Sequence, residues 1–77
     1  LSDEMLLVLS VIFKRDILKN NIDKYSTMIS KFTNMSVHHV KTIIYSLIEK
    51  EFISKDAREN AELHPKHIKD VTALFKN

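Results

Sequence analysis

The 77-residue chain has no cysteine, no glycine and no tryptophan, and only one proline. The missing cysteine removes any disulfide framework and any thiolate metal site, so an interior this small has to be held by packing alone. It also points to an intracellular home, cytoplasm or nucleus. The missing glycine excludes more. Phosphate-cradling loops, dinucleotide fingerprints and nucleophile elbows all use glycine to bring backbone close to a ligand, and none can be built here. Long hydrophobic runs are absent too: no stretch approaches the roughly 20 apolar residues that span a bilayer, and no leader pattern is visible. The start at Leu1 suggests a segment cut from a longer protein.

Charge of one sign is also missing. Residues 1–35 carry five basic and four acidic side chains and residues 36–77 carry seven and six, for a net +2, so neither half is a basic or an acidic tail. What is present is 44% hydrophobic residues and 29% charged ones, the balance of a single globular domain spanning 1–77.

Ser2 can cap a helix that opens with Asp3 and Glu4, where carboxylates complement the helix dipole. Its apolar residues Met5, Leu6, Leu9, Phe13 and Ile17 predict a first helix from about Asp3 to Lys19, stopped by Asn20 and Asn21. Leu7, Val8, Val11, Ile12 and Leu18 widen the stripe until little of the circumference is polar, as burial on two sides or a partner surface requires. Ile22 reads as a short extended residue and Asp23 as the cap of a second helix of about nine residues, with Tyr25, Met28, Ile29 and Phe32 on one face. Thr33, Asn34 and Met35 form a break in which Asn34 is the left-handed residue. Ser36 caps a third helix running to about Lys50, its core face carrying Val37, Val40, Ile44, Leu47 and Ile48. Phe52–Lys55 and Ala61–His64 read as two short strands around a five-residue turn, and Pro65 begins a last helix with Ile68, Val71, Leu74 and Phe75 on its apolar face.

A serine-capped helix after a short polar turn, followed by a strand hairpin, is the plan of a winged helix-turn-helix. The stretch "ISKFTNMSVHHVKTIIYSLIEKEFISKD", residues 29 to 56, resembles that superfamily, and with the first helix and the hairpin the resemblance covers nearly the whole chain. It implies a mainly α fold with a small β-hairpin wing, a three-helix core plus a C-terminal helix, and double-stranded DNA as ligand. Transcription control, or plasmid or phage replication control, is the role that follows.

With the core stripe of helix 3 fixed, a step of about 100° per residue turns His38, His39, Thr42 and Ser46 outward, flanked by Lys41 and Tyr45. His38, His39, Thr42 and Ser46 are the candidates for base edges, and Lys41, Tyr45, Lys55 and Arg58 for the backbone, with Arg58 at the wing tip; Lys24 and Lys31 are further phosphate candidates. The same residues are also what the solvated face of any amphipathic helix presents. Against DNA stand Glu49 on that face, Glu59 beside Arg58, and the modest net charge, which a homodimer through helix 1 and the C-terminal helix would double. Three asparagine sites, Asn20 or Asn21, Asn34 and Asn60, are expected to take the left-handed positions that winged helices often give to glycine.

A second resemblance points to protein contact. The run "VKTIIYSLIEKEFISKD" is similar to the end of the cullin winged-helix domain, which would put Lys14 near the place of the modifier-acceptor lysine; the chain lacks the tyrosine-rich final strand of that family. "NMSVHHVK" with "VLSVI" resembles the protein-binding winged helix on the middle subunit of replication protein A. Catalysis has no visible constellation, so no enzyme and no cofactor are expected. His38 and His39 diverge on their helix, and His64 and His67 have only Asp70 nearby as a third ligand, so no metal is expected either. Met5, Met28 and Met35 read as core filler.

Overall fold

The computed structural model describes residues 1–76. Four helices surround a small antiparallel sheet in the order α1 (Asp3–Lys14), β1 (Asn20–Asn21), α2 (Ile22–Ser30), α3 (Val37–Glu49), β2 (Ile53–Lys55), β3 (Asn60–Leu63) and α4 (Ile68–Phe75), the last entered through a 3-10 turn at Pro65–His67. None of these helices is long and apolar enough to cross a membrane.

Three helices begin on side-chain caps. The Ser2 hydroxyl accepts the Met5 amide, the Asn21 amide oxygen accepts the Lys24 amide, and the Ser36 hydroxyl accepts the His39 amide. The second of these corrects the expected start of α2: Asn21, not Asp23, is the cap, and Ile22 is a buried helical residue rather than an extended one. Asp23 serves instead as the acidic residue of the first turn.

Helix α1 ends at Lys14, five residues before the expected Lys19. Asp16 adopts φ 52°, the Ile17 amide reaches back to the Ile12 carbonyl at 3.0 Å, and the chain leaves the helix in a Schellman motif. Helix α3 stops the same way, with Glu51 at φ 63° and the Phe52 amide on the Leu47 carbonyl at 2.9 Å. Asn34 is left-handed as expected, at φ 62°, but the other left-handed positions fall to Asp16, Glu51 and Glu59 rather than to Asn20, Asn21 or Asn60. A side chain in this region costs about 1–2 kcal/mol that glycine does not incur. Asp16→Gly is therefore expected to raise unfolding stability by about 0.5–1 kcal/mol after the extra unfolded-state freedom of glycine is subtracted. Urea denaturation measures this, and a neutral or destabilising result counts against the steric account.

Asn20 and Asn21 do not merely stop a helix; they form a strand, making the sheet three-stranded in the order β1-β3-β2. Asn20 pairs with Ala61 and Asn21 with Asn60, while Ile53, Ser54 and Lys55 pair with Leu63, Glu62 and Ala61. Strand β2 starts one residue later than the expected Phe52 and ends at Lys55 as expected, β3 lies one residue earlier than the expected Ala61–His64, and the Phe52 carbonyl accepts the His64 amide just beyond them.

The core gathers Val8, Leu9 and Ile12 of α1, Tyr25 and Ile29 of α2, Val40, Ile44 and Leu47 of α3, Ile53 and Ala61 of the sheet, and Val71 of α4. The core face of α3 is rotated slightly from the expected stripe. Ile43 is buried and Val37 lies 37% exposed. Met5 and Met35 pack against the core, and Phe75 of α4 sits against Phe13 of α1 with ring centroids 6.2 Å apart. Ile68 and Leu74 stay exposed, so the apolar contribution of α4 to the interior comes from Val71 and Phe75.

Candidate functional site

Because α3 buries Val40, Ile43, Ile44 and Leu47, its opposite side is set by helical geometry. His38, His39, Thr42 and Tyr45 are exposed there, with Lys41 and Ser46 half-buried at the margins. The structure thus brings six of the eight candidate residues onto one helix. Lys55 ends β2 and Arg58 stands in the turn that joins β2 to β3.

Two of the expected base readers are tied to their own helix. The Thr42 hydroxyl donates to the His38 carbonyl at 3.1 Å, and the Ser46 hydroxyl donates to the Thr42 carbonyl at 3.3 Å. Each hydroxyl still offers lone pairs to an approaching donor. Tyr45 is 42% exposed, and its phenol has room to reach a neighbouring phosphate or side chain.

The two lysine candidates and His39 are already engaged. Lys41 donates to the Asp23 carboxylate of α2, which raises the lysine above its ordinary pKa. Lys55 lies 3.2 Å from the Glu59 carboxylate in the hairpin turn, and the His39 ring nitrogen Nε2 lies 2.8 Å from the Glu4 carboxylate of α1. Glu59, next to Arg58 in the turn, pairs with Lys55. Among the described residues Arg58, His38 and Tyr45 are the members of the set whose side chains have neither a hydrogen bond nor an ion pair. Two of these carboxylate partners are not signalled by local sequence, since Glu4 lies 35 residues and Asp23 18 residues from its partner, whereas Glu59 is an i,i+4 neighbour of Lys55.

The hairpin turn is built around Asp56. One carboxylate oxygen accepts the amides of Asn60 and Arg58 at 3.0 and 2.9 Å, and the other accepts the Asn60 side-chain amide at 3.2 Å. Lys19 adds an ion pair at 3.3 Å and also approaches Glu62, which fixes the chain before β1 to the hairpin. The bonds from Asn60, then from Arg58 and Lys19, hold the Asp56 carboxyl far below the usual carboxylate range. Arg58 is therefore presented from an ordered turn.

Elsewhere, Lys24 and Lys31 of the wider set are exposed and lie on or just after α2. Arg15 sits over the exposed ring of Phe32, 4.4 Å from its centroid. His64 caps the 3-10 turn by accepting the Lys66 amide at Nδ1, and His67 stacks on Phe52 and contacts Asp70 at 3.2 Å. Lys66 holds the Glu51 carboxyl below its ordinary range. Among the described residues no group of three or more acidic or histidine side chains is arranged to hold a metal ion, and no pocket is present. The one feature of the interior that sequence reasoning passed over is the Tyr25 hydroxyl, fully buried without a hydrogen-bond partner. Burial, with a contribution from Glu62, pushes it well above the ordinary phenol range. Comparison with protein-family models, curated proteins and solved structures finds no match to this chain.

Proposed function

We propose that this chain is a winged helix-turn-helix domain that binds double-stranded DNA, with α3 in the major groove and the β2–β3 wing against the backbone, in transcription or replication control. The observation that carries the reading is the placement of the polar face of α3: a helix whose buried side is locked into the core by Val40, Ile43, Ile44 and Leu47 leaves His38, Thr42 and Tyr45 open to solvent, and the start of α2 meets both this helix, through Asp23 on Lys41, and the hairpin turn, through the Ile22 amide on the Glu59 carbonyl. Support also comes from chain order. A short strand between the first two helices closes against the hairpin, and a capped third helix follows a left-handed turn, as a helix-turn-helix with a wing requires. The reading assigns no catalysis, no cofactor and no metal to the domain, and places it in the cytoplasm or nucleus.

In this reading His38, His39, Thr42 and Ser46 face base edges, while Lys41, Tyr45, Lys55 and Arg58 meet the backbone. Duplex binding measured by mobility shift between 50 and 200 mM salt tests it. Each neutralised phosphate contributes about 0.9 to the slope of log affinity against log salt, so a slope between roughly 1, for Arg58 alone, and roughly 3, for Arg58, Lys41 and Lys55 together, is expected. Absence of binding at low salt, or a flat response, rejects the reading.

Protein contact is the second reading, whether in a homodimer or a larger assembly. It is favoured by the apolar side chains that α1 and α4 leave in solvent, Leu7 at 41%, Ile68 at 44% and Leu74 at 54% exposed. Its signature is the reverse: association that survives raised salt and collapses when Leu74 is replaced by aspartate, read by a sizing measurement.

A further inference from the structure

Three carboxylates from three different elements, Glu4 of α1, Asp23 of α2 and Glu59 of the wing turn, each meet one candidate residue of the α3 and wing face. Their placement is one-sided. The Asp23 side chain is 76% exposed against 34% for Lys41, and Glu59 57% against 29% for Lys55. Glu4, at 55%, likewise stands farther into solvent than His39, at 46%. In each pair the carboxylate is the more exposed side chain, so it offsets the cation's field toward solvent.

Resting on the DNA-binding reading, we infer that Asp23 and Glu59 are electrostatic screens that suppress sequence-independent backbone binding and so set the specificity of the same surface. A lysine already paired to an outward carboxylate brings no net charge to the duplex. The phosphate it reaches releases its counterion, but the displaced carboxylate beside it favours recruiting a cation again, so the pair adds almost nothing to the salt slope. On the α3 and wing face, non-specific binding, which is nearly all backbone electrostatics, is thereby left to Arg58. Complexes that also satisfy His38, Thr42 and Ser46 gain base contacts that the screens do not touch. The exposed pairs are weak enough to open when those contacts form.

The test compares the wild-type chain with Asp23→Asn, Glu59→Gln and the double variant on a duplex of random sequence from 50 to 200 mM salt. Asp70→Asn is the charge-matched control: it removes one carboxylate whose partner is His67, at the start of α4. Each screening variant is expected to steepen the salt slope by about 0.9, and the double variant by about 1.8. Each should also tighten low-salt binding about two- to fivefold, while Asp70→Asn changes the slope by less than half as much. Circular dichroism establishes that each variant is folded. Should Asp23→Asn, in the first turn of α2, fail to fold, Glu59→Gln carries the comparison from a separate element. If wild type binds but the screening variants match Asp70→Asn in slope and affinity, the inference is overturned and the DNA reading stands. If neither wild type nor the double variant binds duplex at 50 mM, the DNA reading itself falls, and the screens with it.

Discussion

Leu47→Ala is expected to lower the unfolding free energy by about 3 kcal/mol, with a range of roughly 2–5 for a buried leucine cut back to a methyl group. Leu47 is fully buried on the face of α3 that packs against α2, α1 and the start of the hairpin, so the cavity has three elements around it and little chance of collapsing. Its carbonyl also accepts the Phe52 amide that closes the Schellman motif. A domain of this length holds only about 4–12 kcal/mol in total, so the loss removes a large share of it and should depress the melting temperature by at least ~12 °C. Urea and thermal unfolding followed by circular dichroism measure both. Val37→Ala is the internal comparison: Val37 sits at the solvent edge of the same helix, and its replacement should change stability by no more than about 0.5 kcal/mol. Equal losses at the two positions would contradict the burial pattern.

The contrast between Val37 and Ile43 shows where sequence reading reached its limit. Periodicity located α3, its Ser36 cap and the Val40–Ile44–Leu47 seam, because those signals are local and repeat along the helix. Whether the seam's edge falls on Val37 or on Ile43 depends on how α3 is rotated against α2 and α1, which no spacing within α3 records. The end of α1 was hidden for a related reason. Ile17 and Leu18 continue an apolar run past Lys14, and nothing in the composition marks Asp16 as the left-handed residue that ends the helix. Asn20 and Asn21 read as a stop because their strand partners, Ala61 and Asn60, lie forty residues away in the chain. Asparagine was a sound signal once, at Asn34, but Glu51 and Glu59 carry no such mark; their conformations are imposed by the Schellman bond and by the hairpin.

The candidate site was legible as an outward face and illegible as an electrostatic one. His38, His39, Lys41, Thr42, Tyr45 and Ser46 share the polar side of α3 because helical geometry alone puts them there. That Lys41 and His39 would each face a carboxylate depends on tertiary neighbours, and that Lys55 meets Glu59 depends on how the hairpin turn folds back. Net charge of +2 therefore overstates how much positive charge this surface has free to offer. The apolar excess of helix 1 similarly divides into a part that α4 covers, through Phe13 against Phe75, and a part such as Leu7 that stays in solvent.

The second large effect is expected at the hairpin turn, on acidification and in Asp56→Ala. The folded state depresses the Asp56 pKa, chiefly through the bonds from Asn60, so the ionised carboxylate stabilises the fold and the protonated one does not. Stability from this group is in full force above the unfolded carboxyl pKa of about 3.9 and is lost progressively as pH falls below it through the depressed folded value. Glu51, held low by Lys66, shifts stability in the same direction over the same acid range. At neutral pH the Asp56→Ala variant should already show what acid does to wild type: faster amide exchange at Arg58 and Asn60, whose donors lose their acceptor, and release of Lys19 from the hairpin. Core amides of α3, such as that of Ile44, should keep most of their protection, because the turn lies outside the packed seam. The variant should also lose the acid-dependent part of the wild-type stability curve that belongs to this group, leaving the smaller slope due to Glu51. Hydrogen exchange and urea unfolding at pH 7, 4 and 3 measure these outcomes together. A variant whose stability falls as steeply with acid as wild type would show that Asp56 does not hold the turn. The consequence for the proposed DNA contact is direct: with the turn released, Arg58 is no longer held in an ordered turn, and duplex affinity should drop in the Asp56→Ala variant even though every residue of the α3 face is intact.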